Sequence, residues 1–300
     1  MQPLGLNEYF SARRELVDHF LTQLASSTGA PPPLDAPLRR ALTSAGKRVR
    51  GILTMAVAES IGAKPEKVVP AAAAMEMIHA SSLILDDLPS MDDALLRRGA
   101  PTLHREFGED LAILSAVALL NHSYGLVTQN HAALTPRRWP LPRVMQRVVD
   151  AVGWDGTIAG ESVDLHPSMD SGTSTLDFDT LEFIHSRKTG ALFVAAAAVG
   201  GMLANIHPAP LQRVEVFAKN LGLAFQITDD ILDVTADAAQ LGKDVGKDAE
   251  RLTFVKLAGV DGARKISDEL VDTSLSAIAT LGRDAQPLRD LATYVRGRVR

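Results

Sequence analysis

Two short segments, far apart in the chain, concentrate aspartates. The first holds Asp86, Asp87, Asp92 and Asp93, and the second holds Asp229, Asp230 and Asp233. Asp229 and Asp233 are four residues apart, so on a helix their carboxylates lie on one face and repel each other. A divalent cation relieves this repulsion, and hard oxygen ligands favour Mg²⁺, which shares its coordination with waters and substrate phosphates. The spacing therefore predicts a magnesium site for a phosphorylated substrate, while either segment alone is also typical of a solvated helix face.

Strongly apolar residues come directly before both acidic segments. The residues SLIL (82–85) precede Asp86, and LAFQI (223–227) precede Thr228. Each carboxylate group is therefore expected where a buried helix face meets water. Two such helix ends in one bundle would form an acidic mouth above an apolar interior.

Lysines and arginines occur in four short blocks that each contain glycine. The blocks are GKRVRG (46–51), LLRRG (95–99), RKTG (187–190) and LGKDVGKD (241–248), with Lys47, Arg48, Arg50, Arg97, Arg98, Lys188, Lys243 and Lys247 as their basic residues. Arginine and lysine are the usual phosphate-binding side chains. One block alone is typical of a protein surface, but four blocks beside two acidic segments predict a diphosphate site that uses both metal ions and direct contacts.

Composition excludes several other classes of function. The net charge of −5 gives no basic footprint for nucleic acid. The chain has no cysteine, which excludes disulfides, thiolate catalysis and zinc–thiolate sites. Charged residues within the first fifteen positions interrupt any secretory signal, so a cytoplasmic location is expected. The longest uncharged run, 191–206, is shorter than the roughly 20 residues that span a bilayer, so we expect a buried helix there and no transmembrane segment.

The elements that must position these residues are helices. Apolar residues recur at spacings of three and four along almost the whole chain, and the alternation typical of strands is scarce. Stretches rich in proline and glycine, such as 27–37 and 134–142, separate predicted helices of about 15 to 27 residues. The pattern predicts an all-α fold, in which one domain spanning 1–300 forms a single large bundle of long, mostly antiparallel helices around a central cavity.

The order of motifs from GKRVRG at 46 to RLTF at 254 resembles the trans-isoprenyl diphosphate synthases, the family of farnesyl and geranylgeranyl diphosphate synthases. The stretch DDLPSMDDALLRRGAPTLHREFG (86–108) resembles the family's first aspartate-rich motif, and FQITDDILDV (225–234) followed by LGK resembles the second. The segment GESVDL (160–165) matches a further block, with Glu161 where glutamine is common. The resemblance implies the isoprenoid synthase fold, a homodimer, and Mg²⁺, with three ions when substrate is bound.

The resemblance also implies a role for each matching residue. Magnesium would be reached by Asp86, Asp92 and Asp229, with Asp87, Asp230 and Asp233 in support. The allylic diphosphate would be held by Arg97, Lys188, Thr189, Gln226 and Lys243. Isopentenyl diphosphate would be held by Lys47, Arg50, His79 and Arg98. The residues that would carry the catalytic step are Asp86, Asp92, Lys188, Asp229 and Lys243.

The implied reaction is the ionisation of an allylic diphosphate and attack on the cation by the double bond of isopentenyl diphosphate. Carboxylate-bound metal and basic side chains would stabilise the departing diphosphate, and an apolar interior would exclude water from the cation. The growing tail would run back along the helix before Asp86, past Ser82 and Ser81. An aromatic residue at the position of Ser81 favours a fifteen-carbon product in the family, so serine predicts geranylgeranyl diphosphate, with Met77, Ile78 or the facing Tyr124 as the floor.

Other interpretations fit fewer of these residues. SAGK (44–47) and KTG (188–190) match two motifs of serine acyl-transfer enzymes, but the Ser-Asp-Asn motif is missing. A terpene cyclase would carry an Asn/Ser/Glu metal motif in place of the second aspartate-rich segment. A non-catalytic regulatory subunit of a heteromeric prenyl synthase and a farnesyl diphosphate synthase remain alternatives.

Overall fold

Helices form nearly all of the regular structure in the computed structural model, which describes residues 5–166, 178–235, 253–281 and 285–298. The α-helices are α1 (Leu6–Ser26), α2 (Pro32–Thr43), α3 (Val49–Ser60), α4 (Val69–Asp86), α5 (Leu103–Phe107), α6 (Glu109–Leu134), α7 (Leu141–Val152), α8 (Thr157–Leu165), α9 (Phe178–His185), α10 (Ala191–Leu203), α11 (Pro208–Thr235), α12 (Phe254–Ala277) and α13 (Gln286–Gly297). Short 3₁₀ turns cover Pro65–Val68 and Ala279–Leu281, and a π-helical turn covers Ser186–Gly190. The predicted all-α class is confirmed.

A two-residue β-hairpin, which the sequence analysis did not predict, follows α4. Leu96–Arg97 (β1) pairs antiparallel with Ala100–Pro101 (β2). Arg98 and Gly99 form the turn with φ of 56° and 76°, and two successive positive φ angles are what a tight hairpin turn requires. The hairpin therefore places two neighbouring arginines at a defined position beside the end of α4.

Helices α4 and α6 pack antiparallel. Asn130 accepts a hydrogen bond from the Ala71 backbone N–H, and Ser81 donates to the Ala116 carbonyl at the other end of the pair. Helices α11 and α12 also run antiparallel, since Ser274 donates to the Phe217 carbonyl and Ser267 to the Ala224 carbonyl. The carboxyl-terminal end of α4, which carries Asp86, therefore lies beside the start of α6.

Small residues allow the central helices to approach closely. A Cβ atom on Gly200 would lie 2.1 Å from the Thr54 carbonyl oxygen, so α10 touches the backbone of α3 at this point. Thr54 strengthens the contact by donating to the Ala196 carbonyl. The uncharged run at 191–206 thus contains a buried helix, α10, as predicted, and Phe193 within it is fully buried.

Two other stretches, Pro65–Asp86 and Glu109–Leu134, are long and apolar enough to cross a membrane by length and composition alone. This is weak evidence for a membrane span, because core helices of water-soluble proteins satisfy the same criterion. The first stretch is mostly buried inside the bundle, whereas α6 leaves one apolar face exposed.

Candidate active site

The first acidic segment folds back on itself at the end of α4. The backbone N–H of Asp92 donates to the Asp86 carbonyl at 2.9 Å, so these two residues lie together. Asp87 points elsewhere, and its buried side chain accepts hydrogen bonds from Arg97 Nε at 2.9 Å and Nη2 at 2.5 Å. Burial raises the pKa of Asp87, and Arg97 opposes that shift. The arginine that the resemblance assigns to the allylic diphosphate therefore neutralises an aspartate in this structure.

Lys188 lies in the π-helical turn between α9 and α10, where it contacts two carboxylates of α8. Its Nζ lies 2.6 Å from Glu161 Oε2 and 2.7 Å from Asp164 Oδ2. The contact depends on Gly160, because a Cβ atom there would lie 2.3 Å from the Lys188 backbone nitrogen. Burial lowers the pKa of Lys188, but Asp164, Asp86 and Glu161 outweigh burial and raise it above its ordinary value. Lys188 is therefore a fixed positive charge.

Asp86 interacts electrostatically with Lys188 and Glu161. Burial raises its pKa to about 7, and the neighbouring carboxylates of Glu161 and Asp92 add to the shift, while Lys188 opposes it. One ammonium group thus stands among three carboxylates, those of Asp86, Glu161 and Asp164. An excess of negative charge at a half-buried position is stabilised by a bound cation.

In the second acidic segment, Asp229 and Asp230 face different surroundings. Asp229 forms an ion pair with Arg298, whose Nη2 lies 2.5 Å from Asp229 Oδ1. Asp230 is buried, and it accepts hydrogen bonds from the Phe254 backbone N–H at 3.3 Å and from Gln226 Nε2 at 3.2 Å. Burial raises the pKa of Asp230 to about 7. Consecutive helix positions point about 100° apart, which explains why Asp229 faces the mouth and Asp230 supports the wall behind it.

The π-helical turn connects the two acidic segments. Lys188 interacts with Asp86, and its neighbour Thr189 donates a hydrogen bond to Gln226 Oε1 at 3.0 Å. Gln226 in turn donates to Asp230. The residues that the resemblance assigns to the allylic diphosphate, apart from Lys243, are thus assembled between the two acidic segments.

A second group of basic residues lies where α3, α4 and the hairpin meet. Arg50 is only 7% exposed, and burial lowers its pKa to about 10 despite the nearby charges of Glu76 and Asp229. Burial also lowers the pKa of His79 well below its ordinary value, and the positive charges of Arg50 and Arg98 add to this effect. His79 is therefore neutral near pH 7. The structure brings together Arg50, His79 and Arg98, three of the four residues that the resemblance assigns to isopentenyl diphosphate; the fourth, Lys47, is exposed.

Within the GKRVRG block, the three basic side chains lie in different environments. Lys47 is exposed, whereas Arg48 is buried and donates to Asp18 Oδ1 at 2.7 Å and to the Ser44 carbonyl at 2.7 Å. Arg48 thus holds the loop in place, and Arg50 points into the protein.

Two phenylalanines pack against arginines at the mouth. The rings of Phe193 and Phe225 lie 5.5 Å apart, with the Arg50 guanidinium 5.0 Å from the first and the Arg298 guanidinium 4.5 Å from the second. Aromatic faces stabilise nearby cations where water is excluded. The pair therefore stabilises two partly desolvated positive charges on either side of the apolar wall.

Three buried polar atoms at the mouth have no hydrogen-bond partner among the residues described by the structure. They are Arg50 Nε, Glu161 Oε1 and Arg298 Nη1. Such atoms are uncommon in proteins, and bound water, an ion or a ligand can satisfy them. Two unsatisfied donors and one unsatisfied carboxylate oxygen match a ligand that combines anionic oxygens with a cation, as a magnesium diphosphate does.

Within the described ranges, no three acidic or imidazole side chains converge into a preformed metal cage. This agrees with the chemistry of magnesium, which takes one or two carboxylates and completes its coordination with water and phosphate. The predicted metal ligands are all carboxylate oxygen atoms. They belong to Asp86, Asp92 and Asp229, with Asp87, Asp230 and Asp233 in support. The site therefore fits Mg²⁺ bound together with a substrate diphosphate.

The predicted chain-length residues line different sides of α4. Ser81 is only 2% exposed, and its hydroxyl donates to the Ala116 carbonyl at 2.8 Å, so α6 closes the space beside it. Met77 and Ile78 are buried below this level, and Ser82 donates to the His79 carbonyl. An open pocket of about 180 Å³ lies instead on the α2 side of α4, beside Leu83 and Arg98.

Some predicted residues lie outside the described ranges, and some residues at the mouth were not predicted from the sequence. Lys243, assigned to the allylic diphosphate, and its neighbour Lys247 lie outside the described residues. Glu76, Phe193 and Arg298 were not predicted, because no spacing rule links them to the acidic segments. The only sequence signal for Arg298 was its place in a basic stretch, VRGRVR (295–300).

Comparison with known proteins gives a uniform result. The polyprenyl synthetase family model matches residues 31–273. The chain is 40% identical to geranylgeranyl pyrophosphate synthase 11, chloroplastic, of Arabidopsis thaliana over 88% of this chain and 76% of the relative. It is 37% identical to geranylgeranyl diphosphate synthase of Cyanophora paradoxa over 98% of both chains. The solved structure of a geranyltransferase from Helicobacter pylori, complexed with magnesium and isoprenyl diphosphate, superposes with a TM-score of 0.81 at 25% identity over 98% of this chain and 97% of that chain.

Proposed function

Because the chain belongs to the polyprenyl synthetase family and is a trans-prenyltransferase, we propose that it condenses an allylic diphosphate with isopentenyl diphosphate and makes mainly geranylgeranyl diphosphate. The observation that carries the proposal is the Lys188–Thr189 turn, whose side chains reach both acidic segments: Lys188 interacts with Asp86, and Thr189 is linked through Gln226 to Asp230. The names of the similar synthases support the twenty-carbon product.

The basic residues would divide the two diphosphates between them. Lys188 and Arg97 lie beside the acidic segments, where their positive charges can follow the charge that develops on the leaving diphosphate. Arg50, Arg98 and the neutral His79 lie where α3, α4 and the hairpin meet. There they can hold the diphosphate of isopentenyl diphosphate through direct hydrogen bonds. Magnesium, when bound, would add stabilisation of the leaving group's negative charge. We propose three magnesium ions in the substrate complex.

The apolar residues at the mouth would protect the reactive cation. Phe193 and Phe225 form a wall beside Arg50 and Arg298. On α4, the apolar side chains of Met77 and Ile78 are buried. Such a wall excludes water, which would otherwise capture the carbocation before the double bond attacks it.

Chromatography of the products identifies the reaction. Purified protein is incubated with Mg²⁺, isopentenyl diphosphate and dimethylallyl, geranyl or farnesyl diphosphate, and both chain length and diphosphate release are measured. We expect a predominant twenty-carbon product that Asp86→Asn abolishes. A predominant fifteen-carbon product would identify a farnesyl diphosphate synthase, and absence of diphosphate release would identify a non-catalytic subunit.

We infer a homodimer from the exposed face of α6. Leu114 and Val117 are 54% and 57% exposed, and Ile113 extends the same apolar stripe. Neighbouring exposed apolar residues on one helix are typical of a subunit interface. Leu114→Glu is expected to give a monomer in analytical ultracentrifugation, whereas Val216→Glu, at an exposed valine of α11, leaves the dimer intact. A wild-type monomer at micromolar concentration would contradict the inference.

We propose a cytoplasmic location, as the sequence analysis predicts. Immunodetection after cell fractionation tests it, and recovery of the protein with membranes or in a secreted fraction would contradict it.

A further inference from the structure

The amino-terminal end of α3 lacks the usual helix cap. Arg48 occupies the cap position in the left-handed region, with φ of 52° and ψ of 35°, and its side chain makes no capping hydrogen bond. An arginine side chain has only donors, so it cannot accept a hydrogen bond from the first N–H groups of the helix. Its nitrogens are used instead to bind Asp18 and the Ser44 carbonyl.

A glutamate from another helix supplies the missing acceptor. Glu76, in the middle of α4, is only 4% exposed, and its Oε1 accepts a hydrogen bond from the Gly51 N–H at 2.8 Å. Gly51 is the third residue of α3, and the N–H at that position is one that an ordinary cap residue would satisfy. Glu76 therefore caps α3 from a distance of 25 residues along the chain.

The contact leaves little freedom at the start of α3. A Cβ atom on Gly51 would lie 3.1 Å from the Ala72 carbonyl oxygen and 3.3 Å from Glu76 Cγ, so the two helices are tightly apposed here. Arg50 directly precedes Gly51 and places its guanidinium over Phe193. Any fraying of this first turn would move Arg50, whose Nε has no partner among the described residues.

We propose that Glu76 is a positioning residue for the isopentenyl diphosphate side of the mouth, because its hydrogen bond to Gly51 fixes the turn that presents Arg50. The proposal rests on the function proposed above. Glu76 acts through α3 and touches no substrate. The residues assigned to the allylic diphosphate lie on other elements, so their affinity for substrate does not depend on this cap.

Three variants separate the hydrogen bond from the charge. Glu76→Ala removes both and leaves the Gly51 N–H buried without an acceptor. Glu76→Gln keeps an acceptor oxygen and removes a negative charge that acts on Arg50 and Arg98. Glu59→Ala is the matched control: Glu59 lies on α3, about 12 Å beyond Gly51 at 1.5 Å per residue, and its carboxylate binds Arg13 and Tyr9.

Steady-state kinetics with each substrate varied in turn provides the test. For Glu76→Ala we expect KM for isopentenyl diphosphate to rise about tenfold, the scale for losing a buried hydrogen bond, with KM for the allylic diphosphate unchanged. For Glu76→Gln we expect no rise, because the acceptor remains and the loss of negative charge favours an anion. Glu59→Ala is expected to lower the melting temperature without affecting either KM.

Amide hydrogen exchange gives a readout that does not need activity. Exchange at 50–53 should accelerate in Glu76→Ala and stay slow in Glu76→Gln and Glu59→Ala. If Glu76→Gln raises KM for isopentenyl diphosphate as much as Glu76→Ala does, the charge is responsible and the positioning role is wrong. Equal changes in both KM values, or unchanged exchange at 50–53 in Glu76→Ala, would also overturn it. If the wild-type protein lacks prenyltransfer, the proposed function fails while the exchange data still report on the cap.

Discussion

The guanidinium of Arg298 lies 2.5 Å from the carboxylate of Asp229, although the two residues are separated by 69 positions. Arg298 extends from the end of α13, is almost fully buried, and stacks on Phe225. It therefore places a positive charge where the second acidic segment is predicted to bind magnesium. An arginine in this position stabilises the aspartate while no metal ion is bound.

Removal of this arginine is expected to strengthen binding of divalent cations. The ion pair joins an almost buried guanidinium to a carboxylate that is 31% exposed. Such a pair contributes up to roughly 1 kcal/mol, so Arg298→Gln should tighten Mg²⁺ or Mn²⁺ binding to the substrate-free protein by up to about fivefold. Isothermal titration calorimetry measures the change. Arg296→Gln is the control, because Arg296 pairs with Asp268 on α12. Weaker binding in Arg298→Gln would show that the arginine does not compete with the cation.

The raised pKa values at the mouth predict how stability depends on pH. Asp86 and Asp230 each have a pKa of about 7 in the folded protein, above the ordinary carboxyl value of 3.8. Between these two values the folded state binds more protons than the unfolded state, so stability falls as pH rises, by up to about 1.4 kcal/mol per pH unit for each group. The lowered pKa values of His79 and His185 act in the opposite direction below about pH 6.5. The melting temperature in EDTA should therefore decrease from pH 6.5 to pH 7.5, where the carboxyl groups dominate.

Replacing Glu161 should reduce that pH dependence. Burial is the main cause of the raised pKa of Asp86, and the negative charge of Glu161 is the next. Glu161→Gln removes the charge, lowers the pKa of Asp86 and should flatten the decrease in melting temperature. Glu66→Gln, at an exposed position, should leave the profile unchanged. An identical profile for Glu161→Gln would contradict the electrostatic coupling of Glu161 to Asp86.

A large side chain at position 81 should shorten the product. Ser81 is buried against α6, with its hydroxyl 2.8 Å from the Ala116 carbonyl oxygen. A phenyl ring cannot fit against this backbone, so we expect it to turn into the predicted path of the growing isoprenoid chain. Ser81→Phe should therefore shift the main product from twenty to fifteen carbons. Overpacking should also cost roughly 1–3 kcal/mol of stability. Chromatography should show an unchanged product for Ser81→Ala, and a twenty-carbon product from Ser81→Phe would exclude this path for the tail.

A methyl group at Gly160 should displace the Lys188 turn. The Cβ atom of alanine would lie 2.3 Å from the Lys188 backbone nitrogen, so α8 and the turn must separate. We expect Gly160→Ala to lose roughly 1–3 kcal/mol of unfolding free energy and to raise KM for the allylic diphosphate, as measured by denaturant unfolding and kinetics. Gly125→Ala, at a helical glycine with open space around it, should not destabilise the protein. A Gly160→Ala variant with unchanged KM would separate the turn from substrate binding.

Local patterns in the sequence were sufficient for the class of fold and for the family. Helical periodicity reports burial within a few turns, and the aspartates and basic blocks carry the chemistry of a magnesium diphosphate in residues close together along the chain. The assignment to the trans-isoprenyl diphosphate synthases, the all-α class and prenyltransferase activity are confirmed. The hairpin at 96–101 was missed because its strands have two residues each, too short for an alternating pattern to show.

What the residues do for one another was decided only by the tertiary structure. In the pairs Asp86–Asp87 and Asp229–Asp230 the two aspartates have different surroundings: Asp87 is neutralised by Arg97, and Asp229 is neutralised by Arg298. Glu76 caps a helix that begins 27 positions before it. Such partnerships depend on where distant helices cross, and crossing positions follow from close packing at small residues such as Gly160 and Gly200. Sequence spacing determines which side chains share a helix face, whereas the packing of helices determines which charges meet.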